Sequence, residues 1–308
     1  MGASRAKGSD QFRIELAATS ANLGPAFDAA ALAVSLFLKI SASPGREFSI
    51  GARGCDSGIC SDLKNHLILT TYADVLKDEE KPVIPLVLRI DNEIPIGKGC
   101  GSSAAARLAG IALANHFGRL RWATDRIVGE AAWREHHPDN AAACWMGGLA
   151  IARMSGHREA RIARIRPKGR WPLLLVVPGE ALPTEEARRV LPTQYSRNDV
   201  VNNIQNSMLL VAAFAQGRHD LLSAALGDRI HEPYRSELCP LLPALQPLRG
   251  TNGILGVVLS GAGPSVLVFL DPKESAKKVK KFVKEYLKNH GLHAELIPTA
   301  ISNDGVRS

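Results

Sequence analysis

The sequence predicts an α+β chain of two domains. Its 308 residues exceed the size at which a single hydrophobic core usually keeps growing. Strand-like and helix-like segments mix along it without the strict β-α repeat of a doubly wound parallel sheet. At 45% hydrophobic and 22% charged residues, the composition is that of a folded globular chain.

Residues 1–11 read as a flexible tail. Phe12 opens a strand, FRIELAAT, which alternates apolar and polar residues until the turn residues Asn22-Leu23-Gly24-Pro25. Residues 29–40 are apolar and rich in Ala and Leu, a pattern that suits helix and strand alike. Residues 86–90 (LVLRI) form a second strand and run into a Gly-rich stretch at 95–101. An Ala/Leu helix follows over 102–117, then a helix over 124–135 with Thr124 as N-cap and Asp125 in its first turn. A strand returns over 147–154. The polar, basic stretch 157–170 marks the domain boundary, dividing 12–160 from 161–308. Beyond it come a strand at 173–177, helices near 184–190, 200–216 and 220–228, and strands at 253–260 and 265–270. The last helix spans 273–288; Val279, Phe282, Val283, Tyr286 and Leu287 recur at helical spacing, so Lys277, Lys278, Lys280, Lys281 and Lys284 form a solvated face.

That lysine helix accounts for much of the +8 net charge. Aromatic residues are only 5% and do not interleave with basic ones, so a nucleic-acid surface is not expected. No apolar run reaches the roughly 20 residues of a membrane span, and the N-terminus lacks the apolar core of a secretory signal. The five cysteines include no C-x-x-C pair and no zinc spacing. Reduced thiols and a cytoplasmic location are the expectation.

The segment Pro95-Ile96-Gly97-Lys98-Gly99-Cys100-Gly101-Ser102-Ser103-Ala104-Ala105-Ala106 carries the chemistry. Alternating glycines let backbone approach a ligand closely, and two serines then open a helix whose first N–H groups suit a phosphate. It is not a Walker A loop, because no Lys-Ser or Lys-Thr pair follows the glycines. The spacing is also wrong for a dinucleotide fingerprint.

This segment resembles the P-x-x-x-G-L-G-S-S-A-A motif of the GHMP kinases. Ala18-Thr19-Ser20-Ala21-Asn22-Leu23-Gly24-Pro25-Ala26-Phe27-Asp28 is similar to the A-T-S-A-N-L-G-P-G-F-D form of their homoserine-kinase group. His137-Pro138-Asp139-Asn140 with Gly147-Gly148, and Leu259-Ser260-Gly261-Ala262-Gly263-Pro264-Ser265, resemble two further motifs of that group in the right order. The sequence departs from the pattern at Ala26, Cys100, His136 and Ala143. Ala26 and His136, which replace glycines, are expected to tighten the substrate pocket.

The resemblance implies a two-domain GHMP kinase fold. Its N-terminal ATP-binding domain would resemble ribosomal protein S5 domain 2, and its C-terminal domain would be ferredoxin-like. It implies direct transfer of the γ-phosphoryl group of ATP to the side-chain hydroxyl of homoserine, a step of threonine biosynthesis. By the same resemblance Asn22, Asp28, His137, Asp139, Thr184, Arg188 and Arg235 bind the substrate. Asn65 and Leu67 lie near the nucleotide base, and Pro95, Gly97, Lys98, Gly99, Cys100, Gly101, Ser102, Ser103 and Ala104 hold ATP. Ser103 and Glu130 bind Mg²⁺, with Glu135 the competing carboxylate, and Asn140 positions the reacting groups. A mevalonate- or sugar-type GHMP kinase, a non-catalytic metabolite binder and a homodimeric assembly stay open. Neither nucleic acid nor membrane is an expected partner.

Overall fold

The computed structural model describes residues 11–307, so most of the expected tail, 1–10, lies outside the described residues. The first sheet is built on strand β1 (Phe12–Asn22) and the 19-residue strand β2 (Ala26–Pro44), paired antiparallel from Phe12↔Ala42 to Asn22↔Ala26. Strand β3 (Ser49–Gly54) and the short helix α1 (Ser57–Ser61) follow, then helix α2 (Leu67–Asp78) and strand β4 (Leu86–Asn92). After the Gly-rich loop come helices α3 (Ser102–Phe117), α4 (Thr124–Glu135) and α5 (Asp139–Met146), then strands β5 (Leu149–Gly156) and β6 (Glu159–Ile165). The sheet order is β3-β4-β2-β5-β6, with β1 along β2. Because β2 is so long, its C-terminal part pairs with β4 and its N-terminal part with β5.

The second sheet begins with β7 (Pro172–Pro178). Helices α6 (Thr184–Arg189), α7 (Arg197–Gln216), α8 (Leu222–Ala225), α9 (Glu232–Arg235) and α10 (Leu241–Leu245) lead to β8 (Ile254–Leu259) and β9 (Val266–Leu270). Helix α11 (Ala276–Asn289) and strand β10 (Ala294–Ala300) complete it, in the ferredoxin-like order β10-β7-β9-β8. Helix α11 buries Val279, Val283 and Leu287 on this sheet while Lys277, Lys278, Lys281, Lys284 and Lys288 stay exposed. Among the described residues no helix is long and apolar enough to cross a membrane.

Several local expectations need correction. Residues 29–40, ambiguous by pattern, are strand, because Ala31 to Val34 are buried between two partner strands and two faces. The expected boundary at 160/161 falls inside β6, which pairs with β5 and so belongs to the first sheet. The chain also returns at its end: Ser302 N donates to Ala33 O (2.9 Å), Gly148 N to Ser302 O (2.8 Å) and Glu15 N to Arg307 O (2.8 Å). Thr124 is not the N-cap of α4; Ala123 is, and no side chain caps that end.

Glu130 is not at the phosphate loop. It sits at 0% exposure on the face of α4 turned to the β5–β6 hairpin. Arg134 Nε donates to it at 2.9 Å, and Arg126 and Arg158 approach its other oxygen at 3.4 and 3.6 Å. The i±4 spacing puts Arg126 and Arg134 on its own helix face. Truncating one partner of such a buried group leaves charge uncompensated, at a cost of about 3 kcal/mol. Glu130→Ala should therefore lower the thermal midpoint by several degrees while surviving folded protein keeps its KM values; calorimetry alongside steady-state kinetics checks both.

Candidate functional site

The Gly-rich loop between β4 and α3 is wedged between two neighbours. A Cβ on Gly101 would lie 1.9 Å from Thr19 Oγ1 on β1, and one on Gly99 would lie 2.2 Å from Ser260 O, just past β8. Both glycines have positive φ, 74° and 73° for Gly99 and Gly101. Thr19 N donates to Cys100 O (3.0 Å) and Ser260 Oγ to Gly99 O (2.8 Å). The loop thus arrives at the first turn of α3 in one fixed path, with Ser102 and Ser103 between two cavities.

The larger cavity, about 530 Å³, has apolar walls from Leu38, Ile68, Ile90, Ile94 and Ile96, with Asn65 and Leu67 beside them. Gly97, Ser102 and Ser103 close one end. Three residues expected at the nucleotide point elsewhere. Pro95 and Lys98 line a separate crevice with Pro178 and Gly179, where Lys98 Nζ donates to the carbonyls of both. Cys100 is buried behind the loop, its Sγ 3.9 Å from Ser265 Oγ, and burial pushes its thiol up to about 12. Lys98 is drawn off by the carbonyls of Pro178 and Gly179, Cys100 by the apolar interior.

The smaller cavity, about 90 Å³, is lined by Gly97, Gly99, Gly101, Ser102, Ser103 and Ala104 on the loop side. Asn22, Asp28, His137, Asp139, Asn140, Thr184, Arg188 and Arg235 surround the rest, so the expected substrate residues converge from both domains. Asn22 and Asp28 both take left-handed φ, 69° and 53°, which Asn and Asp tolerate better than other side chains. Asn22 Oδ1 accepts from Asp28 N (3.0 Å), and its Nδ2 donates to Gly261 O (2.8 Å). Arg188 donates to Asp28 through both terminal nitrogens, at 3.0 and 2.7 Å. His137 Nδ1 and Asp139 Oδ1 are 2.7 Å apart, and Asn140 N donates to the same oxygen.

Ser103 Oγ donates to Glu135 Oε1 at 2.6 Å, and Arg107 Nε donates to that oxygen as well. Glu135, not Glu130, is therefore the carboxylate at the loop. The two lie on opposite sides of α4: Glu135 is its last residue and reaches the small cavity, whereas Glu130 is covered by β6.

Arg235 is 1% exposed, an unusual burial for a guanidinium. Burial, together with the nearby Arg188 charge, lowers it to about 10. Nε donates to Ala187 O (2.9 Å) and one terminal nitrogen faces His231 Nδ1 at 3.3 Å. His231 is fully buried, and burial takes it down to about 4; with Nε2 2.8 Å from Gly24 O, the neutral ring donates there and accepts from Arg235. For His137, burial works against the charged form, but the Asp139 hydrogen bond and the charges of Asp139, Asp28 and Glu135 outweigh it and raise the pKa.

Sequence reasoning missed Phe27, Thr19 and His231 as parts of the site. The Phe27 ring lies under both guanidinium groups, 5.4 Å from Arg188 and 5.3 Å from Arg235, and stacks on His231. Thr19 Oγ1 donates to Asn140 Oδ1 at 2.6 Å, fixing that amide. Phe27 and Thr19 sat inside the quoted motif, so their position was visible though their partners were not. His136, expected to tighten the pocket, is exposed and lies outside both cavities; with φ at 66° it occupies a left-handed helix end that glycine fills at no cost. Ala26 is buried in the β1–β2 pairing and does not line either cavity.

Residues 66–148 match the GHMP kinases N terminal domain and residues 210–289 the GHMP kinases C terminal domain. A homoserine kinase of Solibacter usitatus is 40% identical over 294 residues, covering 96% of this chain and 96% of that one. One of a Synechococcus strain is 34% identical, over 96% of this chain and 97% of its own. The crystal structure of homoserine kinase from Cytophaga hutchinsonii superposes with a TM-score of 0.81 at 20% identity, covering 99% of both chains, a likeness of fold. With four motifs in order around one junction, and relatives this similar along almost the whole length, the chain belongs to the homoserine kinases of the GHMP kinase family.

Proposed function

We propose that this chain transfers the γ-phosphoryl group of ATP to the side-chain hydroxyl of L-homoserine, giving O-phospho-L-homoserine. The observation that carries the reading is a shared wall. Gly97, Ser102 and Ser103 line both the apolar chamber and the small charged cavity, so a triphosphate whose base occupies the first ends at the mouth of the second.

The small cavity suits a zwitterion. Asp28 and Asp139 offer anions for an ammonium, and Arg188 and Arg235 offer guanidinium groups for a carboxylate. Arg188 holds Asp28 two-pronged, and Arg235 is fixed by carbonyls and a neutral imidazole, so these groups are set before substrate arrives. Thr184 and Asn140 add a hydroxyl and an amide to the cavity lining. Asn140 is immobilised by Thr19 and positions the acceptor hydroxyl. The backbone N–H groups at the start of α3 are placed to hold phosphate oxygens. Rate acceleration then comes from positioning and charge neutralisation.

Ser103 and Glu135 would hold Mg²⁺. A hydroxyl and a carboxylate 2.6 Å apart at the shared wall are the hard oxygen donors that ion takes, with phosphate and water completing its shell. When bound, the metal neutralises charge on the phosphates.

A coupled ADP-release assay with homoserine, mevalonate and galactose tests the acceptor; turnover is expected with homoserine, and a preference for either of the others overturns the reading. Glu135→Gln should raise the Mg²⁺ concentration needed for half-maximal rate at least tenfold, whereas Glu130→Gln leaves that requirement unchanged in whatever protein folds. A metal titration of both variants separates them.

Losing one partner of a buried charge pair costs about 2 to 5 kcal/mol, roughly thirty- to several-thousandfold in affinity. Arg235→Ala should raise the KM for homoserine within that range and leave the KM for ATP nearly unchanged. Arg188, a third exposed, should give a smaller rise in the same direction. 3-Aminopropan-1-ol, which lacks the carboxylate, should be a poor acceptor whose rate responds little to either change. Equal use of that compound and homoserine by the unaltered enzyme would remove the carboxylate role of both arginines.

A further inference from the structure

Lys98 lies in the middle of the phosphate loop, yet its side chain enters neither cavity. It crosses to the second domain, where Nζ donates to Pro178 O at 2.6 Å and to Gly179 O. One residue earlier, Gly97 O accepts from Leu182 N at 3.1 Å. Two successive loop residues therefore hold both ends of the segment 178–182, which links β7 to α6.

That segment delivers the helix carrying Thr184 and Arg188. Helix α6 has six residues, of which only Ala187 is buried. A helix so short does not hold its own shape in water, so its position is set by ties from outside. At its far end these are Arg235 Nε on Ala187 O (2.9 Å) and the Arg188–Asp28 pair. At its near end they are Gly97 and Lys98. A lysine suits the near tie because a compact ammonium with three rotatable donors can serve two adjacent carbonyls at once.

We propose that Lys98 is a positioning residue that ties the phosphate loop to the substrate helix, so that nucleotide bound at the loop and homoserine bound under α6 strengthen one another. Lys98 is then not a ligand of the nucleotide. The inference rests on the assignment of Thr184 and Arg188 to the homoserine site. Because such coupling is reciprocal, ordering of the loop by phosphate firms α6, and homoserine tightens the nucleotide by the same factor.

The test uses Lys98→Met, which keeps the stem and removes the charge, and Lys98→Arg, which keeps the charge and the reach. Binding of homoserine is measured with and without a non-hydrolysable ATP analogue, beside steady-state kinetics for both substrates. Charged hydrogen bonds at a half-exposed site suggest a change of about tenfold. Lys98→Met should raise the KM for homoserine by that amount and abolish its enhancement by the analogue, while the analogue alone binds as before. Lys98→Arg should recover most of the loss. Hydrogen exchange over 179–190 should quicken in Lys98→Met and not in Lys98→Arg. A rise in the Kd of the analogue alone, with homoserine binding intact, would make Lys98 a nucleotide ligand and overturn the proposal. Unchanged exchange over 179–190 overturns it too, and that readout needs no turnover. Should the unaltered enzyme show no homoserine-dependent ADP release, the acceptor assignment falls while the exchange result still decides the tie.

Discussion

The loop from 95 to 101 has no spare room, and the rest of the site is arranged around that fact. Gly101 presses on Thr19 and Gly99 on the Ser260 carbonyl, so strand β1 and the turn after β8 define where α3 can begin. Thr19 and Ser260 each add a hydrogen bond across the contact, and Thr19 extends the constraint to Asn140. Asn22, three residues beyond Thr19, reaches Gly261 beside Ser260. Segments from the two ends of the chain are thereby locked to one loop, and the residues they carry inherit its position. Any side chain larger than hydrogen at these two glycines would move all three segments apart.

Charge in the small cavity is matched group by group. Asp28 meets Arg188, Asp139 meets His137 and Glu135 meets Arg107, and Phe27 offers its ring to the guanidinium groups of Arg188 and Arg235. Arg235 tolerates near-complete burial because carbonyls, a neutral histidine and the aromatic face replace its water. His231 stays neutral because burial disfavours its charged form, while the bond to Gly24 O leaves Nδ1 free to accept from Arg235. The apolar chamber next door carries few charges, so the two cavities suit different chemistries while sharing the serine pair.

The sequence reveals this site unevenly, for physical reasons. Motif order identified the residues around the small cavity, since contiguous motifs keep their local geometry when the chain folds. It placed Glu130 at the loop, where Glu135 stands beside Ser103, because the two sit on one helix and only packing decides that Glu130 meets Arg158 from the β5–β6 turn. Lys98 reads as a phosphate ligand by its neighbours in sequence, and only the approach of β7 turns it away. The long β2 was ambiguous because a strand buried on both faces loses the period-two alternation. Strand β6 hid inside a polar stretch for the opposite reason, lying at a sheet edge with alternate residues in solvent. Thr184 is the first residue of α6 and lines the small cavity.

The return of 301–307 to the first sheet has a consequence for biosynthesis. Ala33, Gly148 and Glu15 obtain their last backbone partners from a segment translated after the entire second domain. A ribosome would therefore display the first sheet with these groups unpaired while β7 through β10 are still being made. The N-terminal domain is not a unit that finishes folding vectorially; its closing stitches wait for the tail, and the interval is when its open strand positions are most exposed to wrong partners.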